Sequence, residues 1–169
     1  MIHPGFRDTG SLFATRRAPV AALGATAAAV VVLDEISKAL ALSLLPELDG
    51  APTRFLQLGV VHNTEQAAVM TGVAVLVILG FALATCGVLA SHDRVAPVTL
   101  GLIVGAGVAN ATDGLTPPAG VVDWIAVGAG GGVVVNLADV AVLAGVCLCT
   151  RTIYRLLAEV RRRRGVASG

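Results

Sequence analysis

Residues 19–45 read PVAALGATAAAVVVLDEISKALALSLL. This apolar run is longer than the roughly 20 residues that an α-helix needs to cross the hydrocarbon core of a bilayer. Its charged residues are Asp34, Glu35 and Lys38, all in the second half. Because backbone polar groups in lipid must be paired within the protein, an isolated span of this length is expected to be helical. The run therefore predicts a first transmembrane helix.

Three further apolar runs, residues 67–90, 95–112 and 133–157, have lengths near that of a bilayer crossing. The 169 residues are 56% hydrophobic and 14% charged, with a mean hydropathy of +0.84. A soluble domain usually contains about 25% charged residues. The composition therefore predicts one all-α integral membrane domain over residues 1–169, with four transmembrane helices and a basic tail at residues 158–169.

The basic residues predict the orientation of these helices, because cytoplasmic loops of membrane proteins are rich in lysine and arginine. Ten of the twelve basic residues fall on one predicted side, which we assign to the cytoplasm together with both termini. We interpret these arginines as topology signals or contacts to anionic lipid, not as a nucleic-acid site. The first span is expected to be retained, since residues 19–45 are too long for the core of a signal peptide. These ten are Arg7, Arg16, Arg17, Arg94, Arg151, Arg155, Arg161, Arg162, Arg163 and Arg164.

Two segments are predicted to lie outside the cytoplasmic membrane. The first, residues 46–66, contains a strand-like stretch at residues 53–61. The second, residues 113–132, contains two adjacent prolines and several glycines. We expect both segments to lie over the outer ends of the four helices.

Ionisable and amide side chains within or beside the spans are the main candidates for a functional site, because each is costly to remove from water. They concentrate toward the predicted outer face. Asp34 and Lys38 have the i,i+4 spacing of a structural ion pair. Asp113 alone is compatible with a solvated helix end, whereas Asp139 lies among valines and alanines and needs a partner or a function. The remaining candidates of this group are Asn110, Asp123 and Asn136.

Two neighbouring carboxylates provide the chemistry of aspartic proteolysis, since they ionise with difficulty together and share one proton. No serine or cysteine has a suitably placed histidine, and three scattered histidines make a metal site unexpected. Cys86, Cys147 and Cys149 lie in apolar runs and are interpreted as packing residues. A small transporter is an alternative, but the charges do not continue toward the cytoplasmic side.

Five motifs in order resemble those of signal peptidase II, the membrane aspartyl protease that removes signal peptides from lipid-modified prolipoproteins. The resemblance covers essentially the whole chain. The five segments, each beside the family pattern that it resembles, are Asp34-Glu35-Ile36-Ser37-Lys38 (D-x-x-[ST]-K), Asn63-Thr64-Glu65-Gln66-Ala67-Ala68 (N-x-G-A-A), Gly107-Val108-Ala109-Asn110-Ala111-Thr112-Asp113 (G-x-x-x-N-x-x-D-R), Gly120-Val121-Val122-Asp123-Trp124-Ile125 (G-x-V-V-D-F-I) and Asn136-Leu137-Ala138-Asp139 (F-N-x-A-D).

The resemblance implies that Asp123 and Asp139 form a catalytic dyad and that the strand-like outer segment contributes to a small β-like cradle. It implies no metal or cofactor. The substrate would be a prolipoprotein signal peptide, cut before the diacylglyceryl cysteine by a monomeric enzyme in the bacterial inner membrane, in contact with lipid. Supporting or substrate-binding roles are implied for Asn63, Asn110, Asp113, Asn136, Asp34 and Lys38.

Gly114 departs from the family pattern, which has an arginine after the aspartate of the third motif. Glycine replaces neither the charge nor the hydrogen-bond donors of an arginine. A second hypothesis is therefore a non-catalytic relative that binds prolipoprotein or lipid. Since both candidate dyad aspartates are present, an active peptidase is the preferred interpretation.

Overall fold

The structure, a computed structural model, describes residues 9–64, 95–115, 120–130 and 132–167. These residues form three helices and three strands. The predicted second span, residues 67–90, lies outside the described residues. In chain order the elements are α1 (Thr9–Leu44), β1 (Leu56–Asn63), α2 (Ala96–Leu115), β2 (Val121–Val127), β3 (Val133–Val135) and α3 (Leu137–Ala167).

Helix α1 is longer than the predicted first span, because it begins ten residues before Pro19 and contains that proline. Hydropathy marks where a helix becomes apolar, not where it begins. The helix ends at Leu44, shortly before Pro46, which disfavours helical geometry in the residue preceding it. Helix α3 likewise continues into the predicted basic tail, as far as Ala167.

Two helices of the described residues are long and apolar enough to cross a membrane, over Ala18–Leu44 and Leu137–Arg155. The predicted third span corresponds to α2, a helix of 20 residues. The number of four spans stays a prediction.

Glycines bring α1 and α2 into close contact. A Cβ atom placed on Gly105 would lie 2.5 Å from the carbonyl oxygen of Ala27, and one on Gly101 would lie 2.7 Å from the carbonyl oxygen of Leu23. Such distances are too short for a side chain, so only glycine permits this approach. Residue numbers rise together along the two helices at these contacts, and α1 and α2 therefore run in the same direction.

Helix α3 runs in the opposite direction to α2. Gly145 of α3 lies against the side chain of Ile103, whereas Asp139, at the start of α3, bonds to Asn110 near the end of α2. The interior between the three helices is made of small side chains: Val30, Ala106, Ala109 and Ala138 form a buried cluster. The C-terminal ends of α1 and α2 consequently meet the N-terminal end of α3.

The three strands form one antiparallel sheet in the order β1-β2-β3. Strand β1 confirms the strand-like stretch predicted in the first outer segment, with bounds of Leu56–Asn63. A bulge between Leu58 and Val61 interrupts the pairing with β2, so Val60 pairs with the chain that follows α1. The Val60 N–H donates to the Pro46 carbonyl, and the Val60 carbonyl accepts the Leu48 N–H, both at 2.9 Å. The sheet is thereby attached to the end of α1.

The predicted start of the fourth span at Val133 is wrong. Residues Val133–Val135 form β3, which pairs with β2, and the helix begins only at Leu137. A run of valines is compatible with either a buried helix or a strand, and valine favours the strand because its branched Cβ is restricted in helices. Gly128 and Gly130, with φ of 96° and 71°, lie between β2 and β3, where glycine tolerates these positive angles.

Candidate functional site

The first turn of α3 carries a reciprocal cap made by Asn136 and Asp139. The backbone N–H of Asp139 donates to Asn136 Oδ1 at 3.0 Å, and the backbone N–H of Asn136 donates to Asp139 Oδ2 at 3.1 Å. A capping box of this kind satisfies helix donors that have no carbonyl partner within the helix. It also places the Asp139 carboxylate at the positive end of the α3 dipole.

Asp34 binds the same helix end from α1. Its Oδ1 accepts the backbone N–H of Ala138 at 2.8 Å, and its Oδ2 lies 2.5 Å from Lys38 Nζ. Both side chains of the Asp34–Lys38 pair are buried. The ion pair expected from the i,i+4 spacing is therefore present. It links α1 to α3, rather than only bracing the first span.

Two asparagine amides connect the candidate aspartates. Asn110 Nδ2 donates to Asp139 Oδ1 at 3.1 Å, and Asn136 Nδ2 donates to Asp123 Oδ1 at 2.9 Å. The two amides are themselves bonded, from Asn136 Nδ2 to Asn110 Oδ1 at 3.0 Å. Because Asn136 is fully buried and Asn110 nearly so, neither amide exchanges these bonds for water. Asp123 and Asp139 therefore lie at the two ends of one buried hydrogen-bonded chain.

Asp123 reaches this chain from β2, the central strand of the sheet. It is buried and also hydrogen-bonded to the side chain of Asn63 on β1. Burial and the neighbouring Asp139 carboxylate raise the pKa of Asp123 to about 7, although the amides of Asn63 and Asn136 and the charge of Lys38 act in the opposite direction. Near neutral pH, Asp123 thus exists in comparable amounts as the acid and the carboxylate.

Asp113, at the end of α2, lies on the other side of Lys38. Its Oδ2 is 2.6 Å from Lys38 Nζ and accepts the backbone N–H of Val122 at 3.3 Å. The side chain of Asp113 is only 13% exposed. The interpretation as a solvated residue at a helix end, which the sequence alone permitted, therefore does not apply. Asp113 instead attaches β2 to the helices.

All eight residues singled out from the sequence come together at this end of the helices. The sequence did not predict two backbone groups that complete the site, the N–H groups of Val122 and Ala138, because a backbone group is not marked by any side-chain type. It also gave no role to Glu35, whose Oε1 is buried without a hydrogen-bond partner within the described segments. Across those same segments, no group of three or more His, Cys, Asp or Glu residues is placed to hold a metal ion. The eight are Asp34, Lys38, Asn63, Asn110, Asp113, Asp123, Asn136 and Asp139.

Residues 26–155 match the model of the family described as Signal peptidase (SPase) II, and this range contains every residue of the buried site. The chain belongs to the signal peptidase II family. Membership implies a membrane-associated peptidase, hence a hydrolase, that acts on lipoprotein precursors.

Two solved structures, each described as a bacterial membrane enzyme, share the fold of this chain. One, at 2.3 Å resolution, has a TM-score of 0.61 and 15% sequence identity, covering 92% of this chain and 93% of its own. The other, at 1.9 Å resolution, has a TM-score of 0.59 and 18% identity, covering 90% of this chain and 97% of its own. At these identities the likeness concerns the fold alone. A search of curated proteins finds no match.

The raised pKa of Asp123 predicts how the stability of this signal peptidase II family member changes with pH. The folded state holds the Asp123 proton up to about pH 7, whereas the unfolded chain releases it near the ordinary value of 3.8. Between these pH values the folded state binds more protons, so the free energy of unfolding falls as pH rises from about 4 to about 7. In the variant Asp123→Asn this decrease in the free energy of unfolding is expected to be absent, because asparagine does not titrate.

Thermal unfolding in detergent at pH 5, 6, 7 and 8 measures the effect. We expect the unfolding midpoint of Asp123→Asn to rise relative to the wild type by about 2 °C or more between pH 5 and pH 8. The two proteins differ at Asp123 alone, so the pH dependence of the difference between their unfolding midpoints is the readout. A difference that stays constant with pH would contradict the raised pKa.

Proposed function

We propose that this protein is an aspartic endopeptidase of the bacterial inner membrane that removes signal peptides from diacylglyceryl-modified prolipoproteins, cutting before the lipidated cysteine. The observation that carries the proposal is the buried chain from Asp123 through Asn136 and Asn110 to Asp139. It supplies two carboxylates in different environments within one site, as aspartic proteolysis requires.

The environments suggest which aspartate holds the proton. Asp139 accepts two N–H groups at the N-terminus of α3, and we assign it the role of the base. Asp123 has a pKa of about 7 and provides the neutral carboxylic acid. In this mechanism Asp139 takes a proton from the attacking water while Asp123 donates a hydrogen bond to the carbonyl oxygen of the scissile bond. The proton held by Asp139 then passes to the nitrogen of the departing cysteine.

Four membrane spans with both termini in the cytoplasm would account for the helix directions. Helices α1 and α2 run in the same direction. Strand β1 ends at Asn63, beside the site, whereas α2 begins at Ala96, about 20 Å along the helix axis from Asn110 in the site. The chain between β1 and α2 therefore has to return over this distance. A crossing by residues 67–90 would connect these two ends. The sheet and the site would then lie at the outer face.

The apolar surface supports the same arrangement. Helix α1 exposes more than half of each of the side chains Val32, Leu33, Ile36 and Leu40, and α3 exposes Leu143 to 65%. Large exposed apolar faces of this kind fit hydrocarbon rather than water. We therefore include membrane lipid as a partner. The monomer implied by the family resemblance stays a prediction.

A cleavage assay tests the proposal. The purified protein in detergent is incubated with a diacylglyceryl-modified prolipoprotein, and release of the signal peptide is followed by the change in gel mobility. We expect release from the modified precursor and none from the same precursor without diacylglyceryl. Binding of the modified precursor without cleavage would instead support the non-catalytic relative, for which Gly114 is the specific observation.

Replacing Gly114 by arginine separates these two functions further. If the family arginine is merely dispensable here, Gly114→Arg has the wild-type cleavage rate or a rate raised by a few-fold, because arginine adds charge and donors next to Asp113. The measurement is the initial cleavage rate, with Gly107→Ala as a control: Gly107 lies in the same helix and has open space beside it. A fall in rate with Gly114→Arg alone would show that the site has adapted to glycine.

A further inference from the structure

Lys38 holds two carboxylates at once. Its Nζ lies 2.5 Å from Asp34 Oδ2 and 2.6 Å from Asp113 Oδ2, and the lysine side chain is 3% exposed. The same nitrogen donates a longer hydrogen bond to Asn110 Oδ1, at 3.4 Å. One buried ammonium therefore contacts residues from both α1 and α2.

Each of these carboxylates also binds the backbone immediately before a candidate catalytic aspartate. Asp34 accepts the N–H of Ala138, the residue preceding Asp139, and Asp113 accepts the N–H of Val122, the residue preceding Asp123. One route from one aspartate backbone to the other, besides those through Asn136 and through β3, thus passes through a single nitrogen atom. The third contact, to Asn110, leads to the Asp139 carboxylate itself.

We propose that Lys38 is a positioning residue that sets the separation of the two dyad aspartates, by holding together the two carboxylates to which their backbones are attached. This inference rests on the proposed function. The aspartates lie on different elements, a strand and a helix, and their like charges repel. The pairing of β2 with β3 and the Asn136 contact already join β2 to α3, and the Lys38 link fixes the remaining freedom so that both aspartates stay within reach of one water molecule. A shift of about 1 Å in such a geometry lowers rates roughly a hundredfold.

The variant Lys38→Arg tests this positioning role while it preserves the charge. The planar guanidinium is larger than the ammonium and separates its two bound carboxylates further. We expect an unfolding midpoint close to that of the wild type, a kcat lowered about tenfold or more, and a KM within about threefold. Lys38→Met, which removes both ion pairs, is expected to lower kcat further in whatever fraction folds.

Glu35→Gln is the matched control. Glu35 interacts electrostatically with Lys38, Asp34 and Asp113, but its buried Oε1 bonds to nothing in the described parts of the chain. A general sensitivity of the site to nearby charge would lower kcat in this variant as well. The positioning role instead predicts a kcat within about threefold of the wild type. A folded Lys38→Arg protein with unchanged kcat would overturn the proposal.

A second measurement does not depend on cleavage. Carboxyl ¹³C NMR of aspartate-labelled protein follows the titration of Asp123, assigned by its loss in Asp123→Asn. The groups that act on this carboxyl are Asp139, Lys38 and the amides of Asn63 and Asn136. If Lys38→Arg moves the aspartates apart, the repulsion by Asp139 weakens and the pKa of Asp123 falls below about 7. An unchanged titration of Asp123 in Lys38→Arg would overturn the proposal.

The two measurements distinguish failure of this inference from failure of the proposed function. A wild-type protein that cleaves no prolipoprotein, with a shifted Asp123 titration in Lys38→Arg, would reject the peptidase and keep the positioning role. An active wild type with unchanged kcat and titration in Lys38→Arg would reject only the positioning role.

Discussion

Replacing either Asp139 or Asp123 by asparagine is expected to abolish cleavage of the modified prolipoprotein, with a loss of about a thousandfold or more. The Asp139→Asn variant would have no carboxylate to take the proton of water, and the Asp123→Asn variant would have no carboxylic acid to donate to the carbonyl oxygen. Both substitutions keep one side-chain oxygen, which can accept the hydrogen bond from Asn110 or Asn136, and Asp139→Asn loses only the second acceptor, which binds the Asn136 N–H. We therefore expect folded, membrane-inserted proteins.

Initial cleavage rates of the two variants, compared at equal amounts of folded protein, provide the measurement. Asp49→Asn is the control, because it makes the same chemical change at an exposed aspartate outside the site. Normal processing by either dyad variant would reject the assignment of that aspartate. Loss of activity in Asp49→Asn as well would point to a general effect of charge on substrate binding.

Asn136→Ala is expected to reduce both stability and activity. The substitution removes the cap of α3, which contributes about 1 kcal/mol, and takes one buried hydrogen-bond partner from each of Asp123 and Asn110, at about 1–3 kcal/mol. We expect a total loss of about 3 kcal/mol in the free energy of unfolding. The cleavage rate should fall about a hundredfold, because both aspartates lose a positioning contact.

Asn136→Asp separates the two roles of this side chain. Aspartate caps helices as well as asparagine does, so the cap survives, but an acceptor replaces the amide donor opposite Asp123. Activity should be lost, and the free energy of unfolding should also fall, because the new buried carboxylate faces the acceptor oxygens of Asp123 and Asn110. Thr150→Ala, on the exposed face of the same helix, should change neither the cleavage rate nor the free energy of unfolding. Equal stability of Asn136→Ala and the wild type in thermal unfolding would contradict the cap.

Hydropathy predicted the helical parts of this fold, because a bilayer crossing imposes both a length and a composition on the sequence. It did not predict β2, which lies in the second outer segment. It also did not predict that Val133–Val135 form strand β3. Strand β2 pairs with β1 across some 60 residues of chain, with Val61 opposite Asp123. Pairing over such a distance depends on the assembled helices, so it cannot be predicted from a local sequence pattern.

The residues of the site were predictable, whereas their connections were only partly so. The spacings of Asn110 with Asp113 and of Asn136 with Asp139 indicated which side chains share a helix turn. Nothing in the sequence indicated that Asp34 caps a helix that begins more than 100 residues later. The bond joins two segments brought together by packing, so it is a property of the tertiary structure.

The glycine contacts between α1 and α2 restrict how a signal peptide approaches the aspartates. At Gly101 and Gly105 the backbone of α2 lies directly against backbone atoms of Leu23 and Ala27 and against the side chains of Thr26 and Val30. A helical segment about 10 Å wide cannot be inserted there unless the helices separate over several turns. In the proposed peptidase, a precursor would therefore reach the aspartates from another side of the helix group or from beneath the sheet, and not through the contact of α1 and α2 at these glycines.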